Sequence, residues 1–146
     1  MELETIIGLF RNLDGYLEQL QRLAAQPRDA LKGDPILLGA AKYYLQVAIE
    51  CCVDVANHIV ARQGFRAPES YADSFTVLAE EGVIPADFLS TAHRMARLRN
   101  RLVHLYWEVD PDQLYEILQH DLGDFGRFRA AICGFVQRLQ PRREEG

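Results

Sequence analysis

Apolar residues recur at three- and four-residue steps along most of the chain, and no segment shows sustained alternation of period two. Leu3, Ile6, Phe10, Leu13, Leu17 and Leu20 form one stripe, which predicts a first helix from about Leu3 to Ala25. Pro27 to Gly33 reads as a polar connector. Asp34-Pro35 then supplies an N-cap and a proline at the first helical position. The stripe that follows, Leu38, Ala41, Leu45, Ala48, Cys52, Val55 and Ile59, predicts a second helix ending at Gly64. Ser70-Tyr71-Ala72-Asp73 is a capping box with Asp in place of Glu, opening a short third helix that stops at Gly82. Pro85 starts a fourth, with Phe88, Ala92, Met95, Leu98 and Leu102 or Val103 on its apolar side. Asp110-Pro111-Asp112-Gln113 opens the last helix, whose stripe runs from Leu114 through Leu118, Leu122, Phe125, Phe128 and Ile132 to Leu139. The fold class expected is all-α: an antiparallel four-helix bundle with an additional short helix, one domain over residues 1–140 and a polar tail over 141–146.

Composition narrows the function classes. A chain of 146 residues is one domain by length and can bury a core without metal or disulfide support. Net charge is −5 and the isoelectric point about 5.3, which argues against a general nucleic-acid coat protein. No apolar run reaches the ~20 residues that span a bilayer, so no membrane association is expected. Met1-Glu2-Leu3-Glu4 lacks the basic start of a signal peptide, so the expected location is cytoplasmic. Cys51, Cys52 and Cys133 are an odd set with an adjacent pair, which is no disulfide framework. The four histidines are scattered and no metal-ligand spacing occurs, so no metal or other cofactor is expected.

Charge is distributed unevenly. His93 to Trp107 contains Arg94, Arg97, Arg99 and Arg101 and no acidic residue, within an acidic protein. The same stretch ends in His104 and Tyr106. A fixed cation, an imidazole whose intrinsic pKa is about 6.5 and a phenol are the groups that phosphate chemistry needs. Seven residues separate Arg99 from Tyr106, so on a continuous helix they share a face. Asn100 and His104 are four apart and neighbour each other on an adjacent face. Unwinding near His104 would let all four converge on one cleft. The plain alternatives are a solvated face for Arg94, Arg97 and Arg101, a structural imidazole for His104 and a core role for Tyr106 and Trp107. Glu50, Asp54 and Asn57 make a polar row on the second helix, either exposed or bracing an arginine.

Arg99, four residues, His104, one residue, Tyr106 matches the Arg-x4-His-x-Tyr signature, and the chain here resembles the HEPN proteins, in particular the HepT toxins. Arg99-Asn100, Leu102-Val103-His104, Tyr115-Glu116-Ile117-Leu118, Asp54-Val55-Ala56-Asn57-His58-Ile59, Pro68-Glu69-Ser70-Tyr71 and Gly82-Val83-Ile84 are similar to that family too. The resemblance extends over Leu38 to Ile132. It implies a homodimeric, metal-independent ribonuclease toxin of a type VII-like toxin–antitoxin pair, with signature residues of both protomers lining an interface cleft. It also implies an MNT-type nucleotidyltransferase antitoxin that neutralises the toxin by transferring AMP to Tyr106. On that reading Arg99 and His104 are catalytic. Arg99 holds the phosphate and His104 moves the proton, while Asn100, Arg101 and Tyr106 support them. The alternatives are a non-catalytic HEPN-type binding protein that partners a nucleotidyltransferase, and a purely structural bundle.

Overall fold

A computed structural model describes residues 3–139; the polar tail expected over 141–146 lies outside them. Among the described residues there are seven α-helices and no strand. They are α1 (Leu3–Ala24), α2 (Arg28–Lys32), α3 (Pro35–Gln63), α4 (Tyr71–Glu80), α5 (Leu89–His104), α6 (Pro111–His120) and α7 (Gly123–Leu139). The caps fall where the sequence puts them. Asp34 accepts from the Ile36 amide at 2.9 Å, and Asp110 from that of Gln113 at 2.8 Å. Ser70 accepts from the Asp73 amide at 3.0 Å, while the Asp73 carboxylate takes the Glu69 amide at 2.9 Å and not that of Ser70. Gly64 and Gly82 end α3 and α4 at φ of 69° and 74°, a left-handed backbone that a side chain would strain.

α3 lies at the centre. α1, α4, α5 and α6 all pack on it, and Leu45, Ile49, Cys52, Val53, Val55 and Ile59 are all buried. Contacts order the helices antiparallel. Lys42 meets Tyr106 and Glu50 meets Arg99 between α3 and α5, and Tyr71 meets Arg99 while Thr76 meets His93 between α4 and α5. Gln119 reaches the Ala24 carbonyl and Arg129 that of Phe10, which sets α6 and α7 against α1. Phe75 of α4 and Phe128 of α7 meet edge to face, with ring centroids 5.8 Å apart.

The structure corrects the sequence reading in three places. Pro27 to Gly33 is not a plain connector: Leu31 is fully buried, and its burial pins the one-turn helix α2. The last helix is two, because Asp121 ends α6 and Gly123, a poor helix former, reopens the chain as α7. α3 is long and apolar enough to span a membrane by composition, contrary to the expectation that no segment is. Its neighbours account for that composition, since a helix covered by neighbours on several sides is apolar around more of its circumference.

Candidate active site

α5 ends at His104. The Leu105 amide closes onto the Arg101 carbonyl at 2.8 Å, and Leu105 then leaves helical geometry at φ −134°, ψ 46°. A single 3-10 turn, Tyr106–Glu108, follows. Val109 is buried beneath it and Asp110 caps α6, so the turn is anchored at its far end. Arg101 holds it at the near end, donating to the Glu108 carbonyl at 2.9 Å and to Gln113 at 3.1 Å. In this chain Arg101 therefore braces the turn, whatever else it contacts.

Arg99 is largely enclosed. Its Nε donates to Glu50 Oε2 at 2.8 Å, and its guanidinium lies 4.5 Å from the centroid of the Tyr71 ring. Glu50 in turn accepts from Gln46 at 3.2 Å. Only Nε is committed to α3; Nη1 reaches Asn100 Oδ1 at 3.4 Å. An arginine held by one edge keeps its other N–H groups for an anion. The alternative weighed for Glu50, that it braces an arginine, is the one the geometry supports. Asp54 lies one turn further along the same helix, and burial and the nearby Glu50 charge push its carboxyl above the usual range.

Tyr106 packs against the opposite end of the same row. Lys42 donates to its carbonyl at 3.1 Å and sits 4.0 Å from its ring centroid. A Cβ on Gly39 would stand 3.8 Å from the phenol oxygen, in ordinary contact. Burial pushes the Lys42 ammonium below its usual pKa. Tyr106 is still 47 % exposed. Arg99 and Tyr106 thus both lie against α3, although the helix ends between them.

His104 is exposed at the last residue of α5, and Asn100 is exposed one turn before it. Five residues on a helix amount to about 140° of rotation, so Arg99 and His104 leave α5 on different faces. Arg99 reaches Asn100, and His104 is exposed at the end of the same helix. Unwinding at Leu105 brings Tyr106 onto α3 and leaves His104 in solvent. The other histidines have separate surroundings: His93 bonds Thr76 at 2.8 Å, His120 pairs with Glu116 at 3.1 Å, and His58 Nε2 is buried without a partner. Among the described residues no group of three or more His, Cys, Asp or Glu side chains gathers as a metal site. Cys51 is buried and its thiol is pushed up to about 11.

Sequence reasoning missed Lys42 and the stacking of Tyr71 on Arg99. The signal for Lys42 was present. Gly39, Lys42, Gln46 and Glu50 fall within one stripe of an otherwise apolar helix, continuing the row of Glu50, Asp54 and Asn57 towards the N-terminus. Nothing local to Tyr71 marks it, since its contact with Arg99 is made by two helices packing together.

Comparisons with known proteins were made by sequence and by structure. The profile of the family described as "Ribonuclease HepT-like" matches residues 13–132. The mRNA nuclease HepT of Shewanella oneidensis is 40% identical over 125 residues, 86% of this chain and 93% of that protein. The tRNA nuclease HepT of Aphanizomenon flos-aquae is 24% identical over 98 residues, 66% of this chain and 65% of that one. Among solved structures, a tri-AMPylated Shewanella oneidensis HEPN toxin in complex with MNT antitoxin superposes with a TM-score of 0.82 at 32% identity, covering 88% of this chain and 96% of that one.

Proposed function

The chain belongs to the HepT-like ribonuclease family, and from that premise we propose that it is the toxin ribonuclease of a toxin–antitoxin pair, neutralised by AMP transfer to Tyr106. One observation carries the reading. The helix that ends at His104 presents an exposed imidazole, the turn after it presents Tyr106 on α3, and Glu50 of α3 holds Arg99 by one edge only. A structural bundle has no use for that arrangement.

The reaction is cleavage of RNA by its own 2′-hydroxyl. The 2′-oxygen forms a bond to phosphorus as the bond to the 5′-oxygen breaks. One imidazole takes the hydroxyl proton and another delivers a proton to the leaving oxygen. The products are a 2′,3′-cyclic phosphate and a 5′-hydroxyl. The free N–H groups of Arg99 stabilise the charge on the phosphoryl oxygens. Each chain contributes one His104, so a homodimer supplies both proton carriers, and a second copy brings one chain's His104 to the other's Arg99. The surface suits such docking. Trp107 is 74 % and Ile36 81 % exposed, and Tyr43, Val103 and Leu105 are exposed as well, on the two segments that frame Tyr106. This chemistry needs no metal ion, so cleavage proceeds in excess chelator.

The partner is an MNT-type nucleotidyltransferase. An adenylyl group on Tyr106 places a phosphodiester beside Lys42, within the row that leads to Arg99, and so blocks the RNA phosphate. The pair acts in the cytoplasm. Expression of the chain alone is expected to arrest growth and co-expression with the nucleotidyltransferase to restore it, and the purified protein is expected to cleave RNA. Harmless expression together with an inert protein would favour the non-catalytic binding alternative.

Glu50 is a positioning residue on this reading. Glu50→Ala frees Arg99 from α3 and is expected to lower kcat by about 10²-fold, the scale of a small misplacement, with KM little changed. Glu50→Gln keeps an acceptor for Nε and recovers most of the rate. Steady-state kinetics of the two variants checks this; an alanine variant as fast as wild type would show that Arg99 needs no brace.

A further inference from the structure

A second concavity lies on the other side of α5 from Glu50. It has a volume of about 350 Å³ and opens between α3, α5, α6 and α7. Its floor is apolar, with Ile49, Ile117 and Phe125. Arg94 and Arg97 stand on its rim, both exposed. Among the described residues neither is in an ion pair, although other arginines of the chain are. The far wall carries two carboxylates, Asp121 and Asp124, both partly buried. Asp124 lies 3.5 Å from Arg127 and within range of the Arg94 charge, yet burial and the neighbouring Asp121 charge outweigh both and raise its pKa. Holding two carboxylates side by side in a partly dry wall costs stability unless a donor meets them.

Three properties define what fits. The volume and the apolar floor with a few convergent polar groups are those of a small-molecule site, and it is large enough for one nucleobase. Two cations on one rim suit a phosphate, because arginine matches its geometry. A carboxylate wall suits an N–H edge: carboxylates accept from the exocyclic amine of cytosine, and adenine and guanine also carry amines. Uracil has none.

The cavity also stands in line with the signature. Arg97 and His104 are seven residues apart on α5, so they share a face about 10 Å apart along the axis. Arg101 and Gln113, which brace the turn after His104, also line the cavity. A strand with its scissile phosphate at His104 would therefore come within reach of this rim.

Building on the ribonuclease reading, we propose that this cavity is a nucleotide subsite for the RNA flanking the cleavage point, with the phosphate on Arg94 and Arg97 and an amino-bearing base on Asp121 and Asp124. Single-stranded RNA is read in this way, by splaying a base into a pocket and bonding its edge. Arg94 and Arg97 thus become the phosphate anchor of the subsite, and Asp121 and Asp124 its base reader.

The test measures binding and cleavage separately. Fluorescence anisotropy of labelled oligo(A), oligo(C) and oligo(U) is recorded on the His104→Ala protein, which binds without cutting. Oligo(C) or oligo(A) is expected to bind at least about fivefold tighter than oligo(U). Arg94→Ala with Arg97→Ala weakens binding and flattens its salt dependence by about 0.7 in log–log slope per arginine. Asp121→Asn with Asp124→Asn narrows the preference for oligo(C) over oligo(U). The same charge change made on α1, Arg11→Ala with Arg22→Ala, leaves affinity and base preference in place. With His104 intact, the arginine pair raises KM while kcat holds. If the wild-type protein cleaves RNA and the arginine pair binds and cleaves as it does, the subsite is refuted and the ribonuclease reading stands. If all bases bind alike in every variant, the base assignment is refuted. If the wild-type protein cleaves no RNA, the ribonuclease reading falls and takes the subsite with it.

Discussion

His104→Ala is expected to abolish RNA cleavage, lowering kcat by about 10²–10⁴-fold, the range for removing a positioned proton carrier. The loss should sit at the upper end, because the proposed dimer would draw both its base and its acid from this one position. Little else changes. His104 is exposed at the final residue of α5, and the turn that follows is held by the Arg101 side chain, buried Val109 and the Asp110 cap. Helicity, dimer mass and thermal midpoint should therefore match wild type. The variant also separates proton transfer from phosphate binding: it keeps Arg99 and still binds RNA, whereas Arg99→Ala weakens transition-state stabilisation with both imidazoles present. Single-turnover cleavage of a labelled RNA is the measurement. A His104→Ala protein that cuts at the wild-type rate would sink the mechanism.

The second large effect concerns the switch. Tyr106→Phe should be refractory to AMP transfer and remain toxic when the nucleotidyltransferase is co-expressed. The substitution is nearly silent structurally, since the ring keeps its contact with Lys42 and only the hydroxyl beside Gly39 is lost. Cleavage by the purified variant stays within a few-fold of wild type, because the hydroxyl supports the site without moving a proton. Intact-mass spectrometry after incubation with the nucleotidyltransferase and ATP decides. A variant that still gains adenylyl mass would move the acceptor elsewhere. Exposed Tyr43 is then the first alternative, since it lies one residue from Lys42.

Much of this was legible in the chain because helices announce themselves. The three-and-four period gave α1, α3 and α5, the Ser70 box and Gly82 bounded α4, and the Asp34, Ser70 and Asp110 caps were visible as residue types at fixed offsets. The signature triad was visible for another reason: its residues match a family pattern, although only Arg99 and His104 lie on the helix. α2 was hidden because five residues show no period, and only the burial of Leu31 makes them a helix. The break at Asp121 was hidden because Leu118 and Phe125, on either side, keep the spacing of an unbroken helix.

By itself, the sequence determined that the chain is helical, where the helices are capped, and which residues point the same way on each of them. Those properties depend on near neighbours along the backbone. Only the tertiary structure decided what each face meets. It set Glu50 and Tyr71 on Arg99, laid Tyr106 on Gly39 and Lys42, left His104 in solvent, and opened a cavity behind Arg94 and Arg97. Position along a helix fixes an azimuth, but the occupant of that azimuth comes from a segment dozens of residues away. That choice is made by packing the core around α3, and no local spacing encodes it.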